Sequence, residues 1–248
     1  GINMNPDQAC NFDCLYCEVK RTDANKNRRL DIQAMSKEMW VLLGLVKQNR
    51  FREMPGFANV PEELLKLKQI ALSGDGEPTL CPNFYEIVCE LVHIRNGVQP
   101  PSFKLVLITN ATGLHLAPVE KGLKLFSGTD EIWAKLDAGT QDYMQRINKT
   151  TVPLDTVLAN IVRAGRLRLI VIQSLFCSVD GGEPDDNEIQ AYVQRLAELK
   201  EKGAQISLVQ IYSVVREPAC RGCTYLPLAR LSHIARRVRE ATGLKAEV

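Results

Sequence analysis

Residues 104–113 read Lys-Leu-Val-Leu-Ile-Thr-Asn-Ala-Thr-Gly, an apolar run that gives way to polar residues and a glycine. Aliphatic and β-branched residues bounded by a turn signal predict a buried strand over 104–109. Runs of the same kind occur on both sides of it, at 68–73, 131–137, 167–176 and 206–212. Residues 1–6 are typical of the end of a further strand, so the sequence predicts six buried strands.

Amphipathic segments separate these strands. Apolar residues recur at helical spacing in each of them, which predicts helices over 35–47, 83–95, 153–165, 187–203 and 231–243. Ser36 is the predicted N-terminal cap of the first helix. Strands that alternate with helices favour a parallel sheet covered by helices. We therefore expect a partial (β/α)6 TIM-like barrel with parallel strands and outer helices.

Length and composition place the chain in a broad class. A chain of 248 residues is predicted to form one domain, 1–248, with an incomplete first strand and with 214–248 as a C-terminal extension that carries the last helix. The net charge of +2 gives no support to a nucleic-acid partner, although such a partner stays possible. No membrane span and no signal peptide are recognised, so a cytoplasmic location is expected.

Three cysteines are clustered just after the first predicted strand. Cys10, Cys14 and Cys17 have the spacing C-x3-C-x2-C. Thiolates are the usual ligands of iron–sulfur clusters, and three of them can hold three corners of a [4Fe–4S] cube. Zinc and plain buried thiols are the alternatives. A zinc site usually needs a fourth ligand at matching spacing, and the three histidines are distant in sequence.

A glycine-rich motif follows the second predicted strand. It consists of Ser73, Gly74, Asp75, Gly76 and Glu77. In parallel barrels, function collects on the loops after the strands' C-terminal ends. The glycines permit a close backbone approach to a ligand, and Glu77 could accept a hydrogen bond from an ammonium group. A turn with a solvated acid is the alternative.

Polar residues also stand at the ends of the later strands. Asn110 is either a ligand contact or a turn residue. Lys135 and Asp137 would share one strand face, either towards the barrel interior or as a buried structural pair. Further polar side chains interrupt the last two apolar strands and could line the same cavity, at Gln173, Gln210 and Tyr212.

Together these motifs resemble the radical S-adenosylmethionine (SAM) superfamily. The resemblance includes Tyr16 directly before the third cysteine, the glycine–glutamate motif, Lys135-Leu-Asp-Ala-Gly139 and Val209-Gln-Ile-Tyr212. It is closest to the iron–sulfur oxidoreductases related to the tRNA wyosine-synthesis enzyme. The resemblance implies a [4Fe–4S] cluster on Cys10, Cys14 and Cys17. It also implies SAM contacts from Tyr16, Ser73, Gly74, Asp75, Gly76, Glu77, Asn110, Lys135, Asp137 and Gln173.

The resemblance further implies an enzyme of the oxidoreductase or lyase type. Such an enzyme cleaves SAM reductively to a 5′-deoxyadenosyl radical, which abstracts hydrogen from a substrate that the sequence does not identify. A flavodoxin or a ferredoxin would supply the electron. The alternatives are an activase that makes a glycyl radical on a partner protein, a wyosine-type tRNA-modifying synthase and a zinc-binding module without chemistry.

The other cysteines raise the question of a second metal site. Cys220 and Cys223 form a C-x2-C pair after the last predicted strand, and Cys81 and Cys177 also follow strands. These four could hold an auxiliary cluster or a zinc ion; a redox pair and unconnected thiols are the alternatives. Cys89 lies on the apolar side of a helix and is predicted to belong to the core.

Overall fold

The computed structural model of the protein describes residues 1–20, 29–98, 103–219 and 222–248. The strands of this part are β1 (Ile2–Asn3), β2 (Gln69–Ser73), β3 (Lys104–Thr109), β4 (Glu131–Lys135), β5 (Ile170–Leu175), β6 (Cys177–Val179), β7 (Ile206–Tyr212), β8 (Cys223–Tyr225) and β9 (Ala246–Glu247). The helices are α1 (Ile32–Lys47), α2 (Glu62–Leu65), α3 (Phe84–Gly97), α4 (Ala117–Leu123), α5 (Gln141–Asn148), α6 (Leu154–Leu167), α7 (Asp186–Glu201) and α8 (Leu228–Thr242). Short 3-10 turns occupy Phe51–Glu53 and Pro78–Leu80.

Seven of these strands form one parallel sheet. Their order is β1-β2-β3-β4-β5-β7-β9, so successive strands of the chain are neighbours across most of the sheet. Each adjacent pair is parallel. The connections run through the helices, as parallel pairing requires. The expected α/β barrel-like architecture is confirmed, and all six predicted strands are part of this sheet.

Strands β3 and β5 are buried over most of their length, whereas buried and partly exposed residues alternate in β2 and β4. In β3 the side chains of Leu105, Val106 and Leu107 are fully buried. A strand whose two faces are both covered reads as a continuous apolar run instead of an alternating one. Helix α6 likewise directs Val157, Leu158 and Ile161 into the core. The same covering leaves only the strand ends for polar chemistry.

Several features of the fold differ from the sequence predictions. The prediction that Ser36 caps the first helix is wrong, because α1 begins at Ile32 and Asp31 accepts the capping hydrogen bond from the Ala34 amide at 3.0 Å. Ser36 lies inside the helix and donates to Glu90. The elements that were not predicted are α2, α4, α5, β9 and the two-stranded antiparallel sheet that β6 forms with β8.

In the part of the chain that the structure describes, no helix is both long enough and apolar enough to cross a bilayer.

Candidate active site

Backbone hydrogen bonds fix the cysteine loop, residues 10–17, between two elements. At the end of α5, the Ile147 carbonyl oxygen accepts from the Leu15 amide at 2.9 Å, and the Asn148 carbonyl oxygen accepts from the Asp13 amide at 3.0 Å. On the other side, the Glu77 amide donates to the carbonyl oxygen of Ala9 over 2.8 Å. The loop is therefore held at the C-terminal ends of the strands, beside the glycine–glutamate motif.

The three cysteines of this loop line one cavity of about 200 Å³. Cys10, Cys14 and Cys17 are all half-buried, and all three line the cavity. Among the described residues, no group of three or more His, Cys, Asp or Glu side chains is placed to hold a single metal ion. Thiolates are the usual ligands of iron–sulfur clusters, and no histidine is among the described residues that line this cavity. The donor set therefore fits a [4Fe–4S] cluster.

The glycine-rich turn forms the wall opposite the cysteines. Ser73, Gly74, Asp75, Gly76 and Glu77 all line the cavity. A Cβ atom added to Gly76 would lie 2.1 Å from the Ala9 carbonyl oxygen, so the turn and the cysteine loop touch through backbone atoms. The absence of a side chain at residue 76 therefore lets the two lining segments pack directly against each other.

Asp75 and Gly74 are tied to the first strand. The Asp75 carboxylate accepts from Asn3 Nδ2 at 2.9 Å, and the Asp75 amide donates to Asn3 Oδ1 at 3.1 Å. A Cβ atom on Gly74 would lie 2.8 Å from the same Asn3 oxygen. The sequence therefore places a glycine where β1 and the turn approach most closely, and the turn keeps its shape before any ligand binds.

Glu77 is buried, and both of its carboxylate oxygens accept hydrogen bonds from the protein. Oε1 accepts from the Thr79 amide and hydroxyl, at 3.1 and 2.6 Å, and from the Thr109 hydroxyl. Oε2 accepts from the Asn110 amide at 2.7 Å. Burial raises the pKa of Glu77, although these hydrogen bonds oppose the shift. Glu77 thus joins the end of β3 to the turn, and its contact with an ammonium group stays a prediction.

Asn110 lines the cavity and also supports the cysteine loop. Its Nδ2 donates to Asn11 Oδ1 at 2.9 Å, and its Oδ1 accepts from the Thr112 amide and hydroxyl at 3.0 and 2.7 Å. Asn11 in turn donates to the Thr112 hydroxyl at 2.9 Å. Both interpretations of Asn110 thus have a physical basis, because it orders its own turn and faces the cavity.

Lys135 extends into the cavity at the end of β4. Its Nζ donates to the Tyr212 hydroxyl at 2.9 Å and lies 3.4 Å from Asp137 Oδ1. Burial opposes the charge on Lys135, but Asp137 and Tyr212 outweigh burial and raise its pKa above the ordinary value. Asp137 lies beyond the end of β4, accepts from the Leu175 amide at 2.8 Å and is itself buried. The two residues therefore form a buried ion pair, in which Lys135 lines the cavity and Asp137 is not among the described lining residues.

Tyr16 connects this charged pair to the cysteine loop. Its hydroxyl donates to Asp137 Oδ2 and accepts from Asn148 Nδ2 at 2.9 Å. Burial, and after it Asp137, hold the pKa of Tyr16 well above its usual range, so the phenol stays protonated. Burial and Asp137 also raise the pKa of the Cys14 thiol to about 11. Metal binding at Cys14 must therefore displace a firmly held proton.

Gln173 lies next to Lys135 but is not among the described residues that line the cavity. The two residues are in register in β5 and β4. The Gln173 amide donates to Gln210 Oε1 at 3.0 Å on the neighbouring strand β7. This bond satisfies a half-buried amide, and the predicted contact of Gln173 with SAM stays a prediction.

The remaining cysteines do not gather into one group in the described residues. Cys177 and Cys223 are both buried in the two-stranded sheet of β6 and β8, where their side chains are hydrogen-bonded to each other. Cys81 instead contacts Asn83 Oδ1 at 3.3 Å, at the start of α3. Cys220 lies outside the described residues. Cys81, Cys177 and Cys223 therefore do not form a metal site together.

Asn148 was not predicted from the sequence, yet it contacts the cysteine loop with both its backbone and its side chain. Its Nδ2 lies 3.3 Å from Cys14 Sγ and 3.1 Å from Asp137 Oδ2. The only local signal is Lys149, which has a φ of +43° and ends α5. Such a signal indicates a helix end but gives no indication that the end meets the cysteine loop.

The family comparison agrees with this geometry. The model of the family described as "Radical SAM superfamily" matches residues 4–196. A UPF0026 protein of Synechocystis sp. is 33% identical over 155 residues, which cover 61% of this chain and 48% of that protein. An uncharacterized protein of Methanocaldococcus jannaschii is 23% identical over 233 residues, which cover 89% of this chain and 47% of that protein. The chain thus spans about half the length of these two relatives.

Solved structures share the fold at low sequence identity. TYW1 with a lysine–pyruvate adduct bound has a TM-score of 0.59 at 17% identity, over 96% of this chain and 72% of that one. Streptococcus suis SuiB bound to S-adenosylmethionine has a TM-score of 0.64 at 13% identity, over 98% of this chain and 48% of that one. These likenesses concern architecture alone. The family match over most of the chain shows that this protein belongs to the radical SAM superfamily, whose cofactors are a [4Fe–4S] cluster and SAM.

Proposed function

We propose that the chain reductively cleaves SAM and abstracts hydrogen from a substrate. The observation that carries the proposal is that three thiols, the glycine turn and the Lys135 ammonium all line one cavity. When bound, the cluster supplies the electron that splits SAM into methionine and a 5′-deoxyadenosyl radical. A flavodoxin or ferredoxin is the proposed source of that electron.

Each wall of the cavity has a separate task in this proposal. Cys10, Cys14 and Cys17 hold three corners of the cluster, which leaves one iron for the methionine part of SAM. The missing side chains of Gly74 and Gly76 let the turn pack against β1 and the cysteine loop, and the turn is proposed to contact SAM from this position.

Lys135 is the cationic side chain proposed to bind the SAM carboxylate. Its charge is retained despite burial because Asp137 lies 3.4 Å away. Tyr16 and Tyr212 hold the pair in place through hydrogen bonds to Asp137 and Lys135. A buried cation with neutralising partners costs less to desolvate than an isolated one, so it can receive a carboxylate.

The substrate is proposed to bind beyond Lys135, next to the ends of β5 and β7. Gln173 and Gln210 place amide groups there, and Tyr212 adds a hydroxyl. Amide and hydroxyl groups of this kind favour a polar substrate. Because the chain spans about half of its relatives, the activity of the whole protein is part of the proposal.

Electron paramagnetic resonance (EPR) of the reduced protein tests this proposal. Protein reconstituted anaerobically with iron and sulfide should give a reduced-cluster signal, and the signal should change when SAM is added. Cys17→Ala should lose the signal, whereas Cys89→Ala, which alters a half-buried thiol on α3, should keep it. A loaded wild-type cluster that gives the same spectrum with and without SAM would overturn the proposal.

A further inference from the structure

Asn148 is a buried residue whose side-chain amide reaches a sulfur of the cysteine loop. Its side chain is 2% exposed, and Nδ2 lies 3.3 Å from Cys14 Sγ. The same nitrogen lies 2.9 Å from the Tyr16 hydroxyl and 3.1 Å from Asp137 Oδ2. One amide group therefore stands between a sulfur, a phenol and a carboxylate.

The orientation of this amide follows from its neighbours. The Tyr16 hydroxyl uses its hydrogen on Asp137, so its oxygen can only accept from Asn148. The Asp137 carboxylate and a Cys14 thiolate are acceptors as well. A flipped amide would place its carbonyl oxygen against three acceptors. The NH2 group must therefore face Cys14.

The backbone of Asn148 fixes the same loop. Its carbonyl oxygen accepts from the Asp13 amide at 3.0 Å, next to Cys14. Helix α5 ends at Asn148 because Lys149 adopts a left-handed conformation, which turns the chain away. The side chain and the main chain of one residue thus act together on the second cysteine of the motif.

We propose that Asn148 is a positioning residue that sets the reduction potential of the cluster through its hydrogen bond to Cys14. This inference rests on the proposed function, because it assumes that a cluster binds at Cys10, Cys14 and Cys17. Reduction adds negative charge, and an N–H group directed at a cluster sulfur stabilises that charge. The nearby Asp137 carboxylate acts in the opposite direction. Asn148 therefore offsets Asp137 and makes the cluster easier to reduce.

The test is a redox titration of the reconstituted cluster, followed by EPR. Asn148→Leu keeps a similar volume but removes the donor. At a fixed potential, we expect its ratio of reduced to oxidised cluster to fall about tenfold, equivalent to a shift of about 59 mV to more negative potential for a one-electron couple. Asn148→Gln retains an amide on a longer side chain. Its cluster should have a reduction potential between those of Asn148→Leu and the wild type.

Asn83→Leu is the matched control. Asn83 is also buried, and its Nδ2 donates at 2.8 Å to the Leu30 carbonyl oxygen, but its described hydrogen bonds do not involve the cysteine loop. Its cluster potential should equal that of the wild type. An unchanged potential in both Asn148 variants, or an equal shift in Asn83→Leu, would overturn the inference.

A second measurement covers the case in which Asn148→Leu fails to bind iron. Wild-type protein with 15N in its asparagine side-chain amides should show a nitrogen hyperfine coupling to the reduced cluster, and Asn148→Gln should weaken it. No coupling in the wild type would overturn the inference. Failure of the wild type itself to bind a cluster and cleave SAM would instead refute the proposed function.

Discussion

The Glu77 amide donates a 2.8 Å hydrogen bond to the carbonyl oxygen of Ala9, the residue directly before the first cysteine of the motif. The two motifs, which are distant in sequence, are thus joined by a backbone contact. The contact is possible only because residue 76 has no side chain. The cysteine loop and the glycine–glutamate turn therefore form one unit, and a change in the turn should alter the loop.

Gly76→Ala should disturb the cysteine loop. Its Cβ atom would lie 2.1 Å from the Ala9 carbonyl oxygen, which is a backbone atom and cannot rotate away. We expect a loss of about 1–3 kcal/mol in the free energy of unfolding, as for other overpacked sites, and a lower iron content after reconstitution. Urea unfolding and iron and sulfide analysis measure these effects.

Gly44→Ala is the matched control. No heavy atom lies within 4 Å of the added Cβ, and Gly44 is inside helix α1, so alanine should stabilise the protein by about 0.5–1 kcal/mol. Equal iron content in the Gly76→Ala and Gly44→Ala proteins would contradict the coupling between turn and loop.

Lys135→Met should weaken SAM binding while the cluster still forms. Methionine preserves much of the side-chain volume but removes the charge that Asp137 and Tyr212 hold in the cavity. A hydrogen bond to a charged group contributes about 1.5–3 kcal/mol, so the dissociation constant for SAM should rise about 10- to 100-fold. Equilibrium binding to the reconstituted protein measures this constant.

Lys104→Met serves as the control for Lys135→Met. Lys104 begins β3, at the opposite end of the strands, and pairs with Glu131. Its removal should leave SAM affinity unchanged. Equal SAM affinity in the Lys135→Met and wild-type proteins would show that Lys135 only balances the charge of Asp137.

Glu77→Gln should destabilise the protein before any cofactor is added. The glutamine would bring an NH2 group to a site where the Thr79 and Asn110 amides already donate. An unsatisfied buried polar group costs about 1–3 kcal/mol, and urea unfolding of the apoprotein would detect this loss. Glu120→Gln, at a half-exposed ion pair with Arg163, should change stability by less than about 1 kcal/mol. Unchanged apoprotein stability in Glu77→Gln would indicate that the carboxylate serves only a ligand.

Asp130 should contribute to stability in a pH-dependent manner. Burial would raise its pKa, but Arg95 and the Leu105 and Ser127 amides outweigh burial and lower it below the ordinary value of 3.8. Folding therefore favours the charged form. The contribution is fully present above that ordinary pKa and is lost as the pH falls through the lower pKa of the folded state.

Asp130→Asn should therefore reduce the acid sensitivity of unfolding. It leaves the mostly buried Arg95 without its carboxylate, which should cost about 3–5 kcal/mol at neutral pH. The difference in the free energy of unfolding between Asp130→Asn and the wild type should become smaller below about pH 4, because the carboxyl group of the wild type then takes up a proton. Urea unfolding across this pH range measures both effects, and a difference that is constant with pH would contradict the assignment.

The sequence predicted the sheet well because its strands are apolar runs, and β3 and β5 are buried over most of their length. The apolar run at 104–109 corresponds to β3 without a shift at either end.

Short elements were missed for a physical reason. β6 and β8 have three residues each, and such runs form strands only because they pair with each other. Their pairing depends on tertiary contacts that local propensity does not encode.

The candidate site was predictable where one local motif carries the chemistry. Cys10, Cys14 and Cys17 could be assigned from their spacing, and the structure places all three around one cavity. Asn148 could not be assigned in this way, because its contact with Cys14 joins residues 134 positions apart. The hydrogen bonds of Glu77 were also not predicted, since they depend on how the ends of β2 and β3 meet.

The formation of 5′-deoxyadenosine from SAM is the measurement that tests the central claim most directly. Anaerobically reconstituted wild type, Cys14→Ala and Cys89→Ala would be reduced with dithionite in the presence of SAM, and the products would be quantified. The account predicts 5′-deoxyadenosine from the wild type and from Cys89→Ala and none from Cys14→Ala. Wild-type protein that binds zinc instead of iron and forms no 5′-deoxyadenosine, or equal product from Cys14→Ala, would contradict it.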